Sequence, residues 1–345
     1  MSKIILCGGG TAGHVMPNVA LLPELKEHYD EIHYIGTNGI EKSIIKKFPY
    51  VKFHEIECVK LIRSLTPKNL LIPIKLFKSI NHCKKIIKEI QPDVVFSKGG
   101  YASLPVVLAC KNIPIIAHES DYTMGLANKL IYKKANVMFF SFEDSAKKYK
   151  KGKLSGPPIR DNILKGKKEV AINKTNFNNN LPIILIVGGS MGAQGINEII
   201  YSNINNLCKS FNLIHITGKN KKQISHKNYF QIDYAENIED YLSICDIVIS
   251  RSGSNAIFEF LALNKPMLLI PLPKTSSRGD QILNARYFET NGWAIMKEQE
   301  KLTNNHFMNT IQELIKNKNV FIDKMKKAKL KNGKDIILSE LKKYK

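Results

Sequence analysis

The sequence lacks the paired cysteines of a disulfide-stapled domain. None of its cysteines belongs to a Cys-x-x-Cys pair, and no short secreted framework surrounds them, so we expect reduced and mostly buried thiols. The six cysteines are Cys7, Cys58, Cys83, Cys110, Cys208 and Cys245.

Long apolar runs are also missing. The best candidate, Leu104 to Ala117, is interrupted by Lys111, Asn112 and Pro114, which excludes a transmembrane helix there. The residues from Ile4 to Cys7 run directly into glycines, a pattern that predicts a first β-strand and not a signal peptide. We therefore expect the protein to stay on the cytoplasmic side of the membrane.

Acidic residues are scarce. The 345-residue chain has 52 Lys and Arg against 30 Asp and Glu, a formal charge of +22. Such a charge suits nucleic acid, an anionic membrane or phosphorylated substrates, although scattered lysines mostly indicate solvated helix faces. Because zinc-finger spacing, RNA-binding aromatic strands and basic heptad regions are all missing, we predict no nucleic-acid partner.

Short apolar runs alternate with helical stretches along the whole chain, as in parallel α/β sheets. The runs form two series, which predicts two Rossmann-like domains of the α/β class. The first series is 4–7, 32–35, 51–56, 94–97, 113–117 and 137–140, and the second is 183–187, 213–217, 247–250 and 267–271.

A proline pair separates the two series. Pro157 and Pro158 cannot continue a helix or a central strand, and a polar, Asn-rich stretch follows them. We place the domains at 1–158 and 159–325, and we expect the segment 326–345 to form a helix that packs back on the first domain.

Each series begins with a strand, a glycine loop and a helix. The first loop runs from Gly8 to His14 and the second from Gly188 to Gln194. Glycines let backbone N–H groups approach an anion, and the helix N-terminus adds a positive dipole, so both loops suit phosphates or sugars. A dinucleotide dehydrogenase would also need an acid at the end of strand two, where this chain has Gly36 and Thr37. We expect the two loops to define one cleft, while a tight turn without a ligand is the alternative for either loop.

A third element follows the strand 247–250. Gly253 would open a helix there, and Glu259 would lie two turns into it, where a carboxylate can accept hydrogen bonds from both hydroxyls of a ribose. A solvent-facing glutamate is the alternative, although the neighbouring Phe258, Phe260 and Arg251 favour a built site.

The chain resembles the MurG family, which belongs to glycosyltransferase family 28. The resemblance covers residues 8 to 285 and rests on seven motifs in the family's order: GGGTAGHVMPNVAL, SKGGYASLP, AHESDYTMGLANKL, SGPPIR, GGSMGAQGIN, SRSGSNAIFEFLALNKPMLLIPLP and GDQILNA. It implies a GT-B fold of two Rossmann-like domains, with no cofactor and no metal-binding Asp-x-Asp motif.

The resemblance also implies which residues bind the donor, UDP-N-acetylglucosamine. Ser190 and Arg160 would contact the diphosphate, the backbone of Ala235 the uracil, and Gln281 and Asn284 the sugar hydroxyls. The segment that holds the nucleotide and ribose would be Ser254, Asn255, Ala256, Ile257, Phe258 and Glu259.

The first domain is expected to bring the acceptor to the sugar. The resemblance places Thr11, Ala12, Gly13 and His14 there. His14 is our choice of general base, because the pKa of imidazole lies near neutrality and a helix N-terminus helps to keep it neutral. Asp121, which stands where the family often has Asn, is the alternative base. A hydrogen bond that only stabilises the loop is a third reading of His14.

The stretch 61–78 mixes apolar residues with cations and contains few acids. Leu70, Leu71 and Phe77 could enter the acyl boundary of a membrane while Lys75 and Lys78 meet anionic headgroups. A core helix of the first domain is an equal alternative.

The resemblance implies an inverting hexosyltransferase that moves N-acetylglucosamine from UDP to the 4-hydroxyl of the N-acetylmuramyl group of lipid I, making lipid II for peptidoglycan. It implies a peripheral protein on the inner leaflet of the cytoplasmic membrane, with wall-synthesis and division proteins as partners. The alternatives are a related transferase that glycosylates diacylglycerol and a nucleotide-sugar-binding regulator without turnover.

Overall fold

The computed structural model describes residues 1–58, 72–189, 193–328, 330 and 332–345. The chain divides into two compact units. Unit 1 comprises Met1–Arg160 with Lys331–Lys345, and unit 2 comprises Asp161–Leu330. The first division lies two residues after the predicted boundary at Pro158.

Unit 1 is built on a parallel sheet. In its described residues the strand order is β3-β2-β1-β4-β5-β6-β7, and every pairing is parallel. The strands are β1 (Lys3–Cys7), β2 (Glu31–Gly36), β3 (Val51–Glu55), β4 (Val94–Ser97), β5 (Ile115–Glu119), β6 (Val137–Phe140) and β7 (Gly152–Leu154).

Helices cover both faces of this sheet, so its central strands are buried on both sides. The helices within 1–160 are α1 (Ala12–His28), α2 (Ile40–Ile45), α3 (Ile72–Ile90), α4 (Ser103–Ala109), α5 (Leu126–Lys134) and α6 (Glu143–Lys147).

Unit 2 is also built on a parallel sheet. Its described strands are all parallel, in the order β10-β9-β8-β11-β12-β13. They are β8 (Ile183–Val187), β9 (Asn212–Ile216), β10 (Tyr229–Ile232), β11 (Ile247–Ser250), β12 (Met267–Leu269) and β13 (Ala294–Met296). The helices are α7 (Lys168–Thr175), α8 (Gln194–Ser210), α9 (Ile238–Ile244), α10 (Ser254–Ala262), α11 (Asp280–Thr290), α12 (Asn304–Lys316) and α13 (Lys318–Lys326).

The last helix, α14 (Gly333–Leu341), packs against α1 in unit 1. The Lys334 ammonium lies 2.6 Å from the Glu24 carboxylate, and the Tyr29 hydroxyl donates to the carbonyl of Leu341 at 2.7 Å. A Cβ on Gly333 would lie 2.3 Å from the carbonyl oxygen of Gly156, so only glycine allows this approach.

The strand orders place a topological switch point in each unit. In unit 1 the chain runs outward from β1 on one side and from β4 on the other, and in unit 2 the equivalent strands are β8 and β11. Ligands of open α/β sheets bind beyond the carboxyl ends of such strand pairs. Among the described helices, none is long and apolar enough to cross a membrane.

Candidate functional site

Two glycine loops meet at the switch point of unit 1. One follows β1 and the other follows β4. Gly100 has a φ of +81°, and a Cβ on it would lie 3.1 Å from the carbonyl oxygen of Gly9 and 3.3 Å from Nδ1 of His14. The two loops are therefore packed against each other, and this contact requires glycine.

His14 lies in the first turn of α1 and is half-buried. Its Nδ1 is 3.0 Å from the hydroxyl oxygen of Thr11, and its backbone N–H donates to the Thr11 carbonyl at 3.1 Å. If Nδ1 carries the proton and donates it to Thr11, Nε2 is left with the lone pair that a base needs. Thr11, Ala12, Gly13 and His14 thus lie together at the N-terminus of α1, and their contact with the sugar stays a prediction.

Glu41 supports the same loop, which the sequence did not reveal. This carboxylate is fully buried; Oε2 accepts from the N–H of Gly10 at 3.2 Å, and Oε1 accepts from the N–H and hydroxyl of Thr37 at 2.9 and 2.5 Å. No acid stands at the end of β2 itself. Glu41, a few residues later in α2, is the acid that contacts the glycine loop.

A second buried carboxylate shapes the turn that carries Asp121. Glu119 ends β5 and accepts from the N–H of Asp121 at 3.0 Å, from the N–H of Gly125 at 3.3 Å and from the amide of Asn128 at 2.8 Å. Asp121 itself is half-buried. The strands β1, β4 and β5 are neighbours in the sheet. His14 and Asp121 follow β1 and β5, so both lie at the carboxyl ends of these strands.

Lys98 lies between these two residues, at the end of β4, and only 1% of it is exposed. Its ammonium contacts Nδ1 of His118 at 2.5 Å and the hydroxyl of Ser120. Burial lowers the pKa of Lys98 to about 7, against the opposing pull of Glu119 and Asp121. Burial and Lys98 hold the pKa of His118 well below its usual range, and its Nε2 donates to the carbonyl of Gly156 at 3.1 Å.

The corresponding loops of unit 2 follow β8 and β11. Gly188 makes a tight turn, since a Cβ on it would lie 2.3 Å from that of Ala193. A Cβ on Gly189, whose φ is +97°, or on Gly253 would meet no atom of the described residues within 4 Å. Ser190, the predicted diphosphate ligand, lies outside the described residues.

Helix α10 begins directly after Gly253. Asn255, Ala256 and Glu259 are half-buried, and Ser254 is buried. Asn255 and Glu259 share one helix face because they are four residues apart, and Ala256 lies partly on the same face. Ile257 and Phe258 are buried in the core, with the Phe258 ring 5.1 Å from that of Phe288, so only their backbone could face a nucleotide.

Gln281 and Asn284 brace the loops after β11 and β12. Oε1 of Gln281 accepts from the N–H of Leu272 at 3.0 Å, and its carbonyl accepts from the Ser252 hydroxyl at 2.7 Å. The fully buried amide of Asn284 donates to the Ser252 carbonyl at 3.1 Å. These contacts position both loops, and contact with the sugar stays a prediction for both residues.

The loop between β10 and α9 carries Ala235, which is half-buried. Its neighbour Tyr234 exposes 64% of its surface, an aromatic ring that the sequence analysis did not single out. β10 is two strands from β8 in the sheet, so at about 4.8 Å between neighbouring strands their carboxyl ends are roughly 10 Å apart. Arg160 is half-buried and ends the first segment of unit 1.

A depression of about 610 Å³ lies elsewhere in unit 2, between α11, β13 and α12. None of the predicted site residues lines it, and charged side chains such as Arg286, Glu298 and Lys301 form its walls. In the described part of the chain, no three His, Cys, Asp or Glu side chains are grouped so that they could hold a metal ion.

Family profiles match both units. The glycosyltransferase family 28 N-terminal domain matches residues 4–140, and the family 28 C-terminal domain matches residues 183–339. A UDP-N-acetylglucosamine--N-acetylmuramyl-(pentapeptide) pyrophosphoryl-undecaprenol N-acetylglucosamine transferase of Clostridium tetani is 46% identical, over 99% of this chain and 98% of its own. One from Clostridium botulinum is 47% identical over 100% and 99%.

Solved structures share the fold. MurG of Acinetobacter baumannii has a TM-score of 0.78 at 20% identity, covering 99% of this chain and 100% of its own. The calicheamicin glycosyltransferase CalG4 has a TM-score of 0.76 at 12% identity, covering 100% and 98%.

These likenesses confirm the predicted fold class, two Rossmann-like α/β domains of the GT-B type. Four of the motifs that carried the resemblance lie at the carboxyl ends of the switch-point strands β1, β4, β8 and β11. The chain belongs to glycosyltransferase family 28 and, within it, to the MurG family of N-acetylglucosamine transferases.

Proposed function

We propose that this protein transfers N-acetylglucosamine from UDP to the 4-hydroxyl of the N-acetylmuramyl group of undecaprenyl-pyrophosphoryl-N-acetylmuramyl-pentapeptide, with inversion at the anomeric carbon. The observation that carries the proposal is the near-complete alignment, at 46% and 47% identity, with transferases named for this donor and acceptor.

Unit 2 has the features of a donor site. No atom of the described residues lies within 4 Å of a Cβ placed on Gly189 or Gly253, and helix α10 directs its N-terminal N–H groups to the loop after β11, where backbone donors and the helix dipole would stabilise a diphosphate. Glu259 would then accept from the ribose hydroxyls, and the β10 loop with Ala235 would contact uracil. We propose Ser190 and Arg160 as further diphosphate ligands, because guanidinium and hydroxyl groups suit phosphate oxygens.

Unit 1 has the features of an acceptor site. With the Nδ1 proton donated to Thr11, Nε2 of His14 would take the proton of the acceptor 4-hydroxyl as that oxygen forms its bond to the anomeric carbon. The bond from the anomeric carbon to the UDP oxygen breaks on the opposite face, and the electron pair leaves with UDP. Asp121 is the alternative base on the same sheet edge.

The direct test is a transfer assay with UDP-N-acetylglucosamine and a short-chain lipid I analogue. We expect a disaccharide product that appears with release of an equal amount of UDP. Diacylglycerol should give no product. UDP binding without transfer to the lipid I analogue would instead favour a nucleotide-sugar-binding regulator.

We also propose that unit 1 contacts an anionic membrane through α3 and α5. The predicted patch falls partly on residues 61–71, outside the described residues. The described part of that stretch, 72–78, exposes 56% of Ile74 and 62% of Phe77, which supports the membrane interpretation. The buried Cys83 and Ile86 lie in later turns of α3, beyond the predicted stretch.

Helix α5 adds to this surface. Its Leu126 and Leu130 are exposed beside Lys129 and Lys133, and both helices pack on α4 in one hydrophobic cluster. Apolar side chains interleaved with lysines suit the boundary of acyl chains and anionic headgroups. We propose the inner leaflet of the cytoplasmic membrane as this surface; wall-synthesis and division proteins are partners expected from the resemblance alone.

Replacing Ile74 and Phe77 together with serine is expected to weaken binding to phosphatidylglycerol-containing vesicles roughly tenfold, because two exposed apolar anchors are lost. Vesicle flotation measures the bound fraction, and transfer to a water-soluble acceptor analogue should be unchanged. The matched control replaces Leu164 and Ile172, two exposed aliphatic residues of unit 2, with serine. Equal binding by wild type and the α3 variant would refute this patch.

A further inference from the structure

A buried lysine lies between the two candidate bases. The strands β1, β4 and β5 are neighbours in the sheet, and their carboxyl ends lead to His14, Lys98 and Asp121 in that order. The backbone N–H of Lys98 donates to the Cys7 carbonyl at 2.9 Å, which ties it to the end of β1, and a Cβ on Gly8 would lie 3.1 Å from the Lys98 Cβ. Lys98 thus fills the floor of the switch point and is too deeply buried to touch substrate.

The partners of Lys98 fix its direction. Nε2 of His118 is 3.1 Å from the Gly156 carbonyl and must donate to it, so Nδ1 carries the lone pair and accepts from the Lys98 ammonium. The Ser120 hydroxyl is the second contact of the ammonium. Ser120 directly precedes Asp121, whose N–H is held by Glu119 at 3.0 Å. The buried Lys98 ammonium and the buried Glu119 carboxylate therefore both hold the turn that carries Asp121.

We propose that Lys98 is a positioning residue of the transfer reaction, whose ammonium holds the turn that carries Asp121 and favours the ionised form of the Asp121 carboxylate. The inference rests on the proposed function. It assigns a role to a residue for which the sequence offered only a place in the SKGGYASLP motif.

The protonation of Lys98 gives the proposal a pH signature. Burial places the pKa of Lys98 near 7, so the charged clamp is present below that pH and is lost as the pH rises through it. An arginine at this position would stay charged across the whole range. The other titratable groups near the switch point, among the described residues, include Cys7 of β1, His14 of α1, Tyr34 of β2, Glu41 of α2, Tyr101 of the loop after β4, His118 and Glu119 of β5, and Asp121.

The test compares Lys98→Met, Lys98→Arg and wild type in the transfer assay. Lys98→Met should lower kcat about tenfold, because the turn is misplaced, and change the KM for UDP-N-acetylglucosamine less than about twofold. The wild-type kcat should fall as the pH rises above about 7, and Lys98→Arg should restore activity and move this fall to higher pH. Unchanged kcat in Lys98→Met, or the same alkaline fall in Lys98→Arg, would overturn the proposal.

A second measurement does not depend on transfer. Carbon-13 NMR of labelled aspartate, assigned with Asp121→Asn, follows the Asp121 carboxylate through its titration. Lys98→Met should raise the pKa of Asp121 by about one unit, because a nearby cation no longer favours the ionised form. An unchanged Asp121 pKa would reject the inference, whether or not the wild type transfers sugar. A wild type that transfers no sugar would by itself count against the proposed function.

Thermal melting shows whether Lys98→Met is folded. If it is not, Ser120→Ala takes its place, since it removes one contact of the ammonium and leaves the lysine buried. We expect this variant to lower kcat roughly threefold with an unchanged KM for the donor, as the loss of one hydrogen bond predicts. A wild-type kcat in Ser120→Ala would contradict the positioning role.

Discussion

Replacing His14 with alanine is expected to lower kcat by roughly a thousandfold, within the range that a general base contributes. The KM for UDP-N-acetylglucosamine should stay within about twofold, because we place the donor contacts mainly in unit 2. The reason lies in the arrangement at the start of α1. Thr11 holds Nδ1 at 3.0 Å, which directs Nε2 as the atom that accepts the proton of the attacking hydroxyl.

The assay should compare three variants under identical conditions. Asp121→Asn keeps the size of the side chain and removes its basicity, so it distinguishes the two candidate bases. His28→Ala is the matched control, a half-buried histidine in the last turn of the same helix. Near-normal kcat in His14→Ala, together with a large loss in Asp121→Asn, would transfer the role of the base to Asp121.

The interior strands of both sheets were predicted from the sequence because they are buried on both faces and read as continuous apolar runs. Three strands were not predicted: β7, β10 and β13. Each lies at an edge of its sheet and is short, with the sequences GKL, YFQI and AIM. An edge strand needs one partner and less burial, so its sequence carries a weaker signal.

The loops of the site were likewise predicted only in part from the sequence. The glycine motifs were recognisable because a tight turn at a strand end restricts the residue type. Glu41 and Lys98 were not, because their function depends on partners that the sheet brings together: Gly10 and Thr37 for Glu41, and His118 and Ser120 for Lys98. A lysine in a motif gives no sign that it will be buried.

The motif GDQILNA shows a further limit of sequence reasoning. The resemblance assigned Gln281 and Asn284 to the sugar, yet the side chains of both make hydrogen bonds to neighbouring loops, to Leu272 and Ser252. Short polar motifs at a site combine ligand contacts with supports of the backbone, and spacing alone does not separate the two roles.

Replacing Glu259 with alanine is expected to weaken UDP binding roughly thirtyfold, since hydrogen bonds to a charged acceptor contribute more than neutral ones. Glu259 lies one turn after Asn255 on the same face of α10, whose N-terminus is where we place the diphosphate. A carboxylate in this position would accept from both ribose hydroxyls.

Calorimetry with UDP and 2′-deoxy-UDP separates this role from general damage. The wild type should bind UDP roughly tenfold more tightly than the deoxy compound, because one hydrogen bond to the carboxylate is missing. In Glu259→Ala the two ligands should bind alike, since the partner of the 2′-hydroxyl is gone. Glu313→Ala, an exposed glutamate on α12, serves as the control and should keep the wild-type preference. If Glu259→Ala still prefers UDP to the same degree, the carboxylate does not contact the ribose.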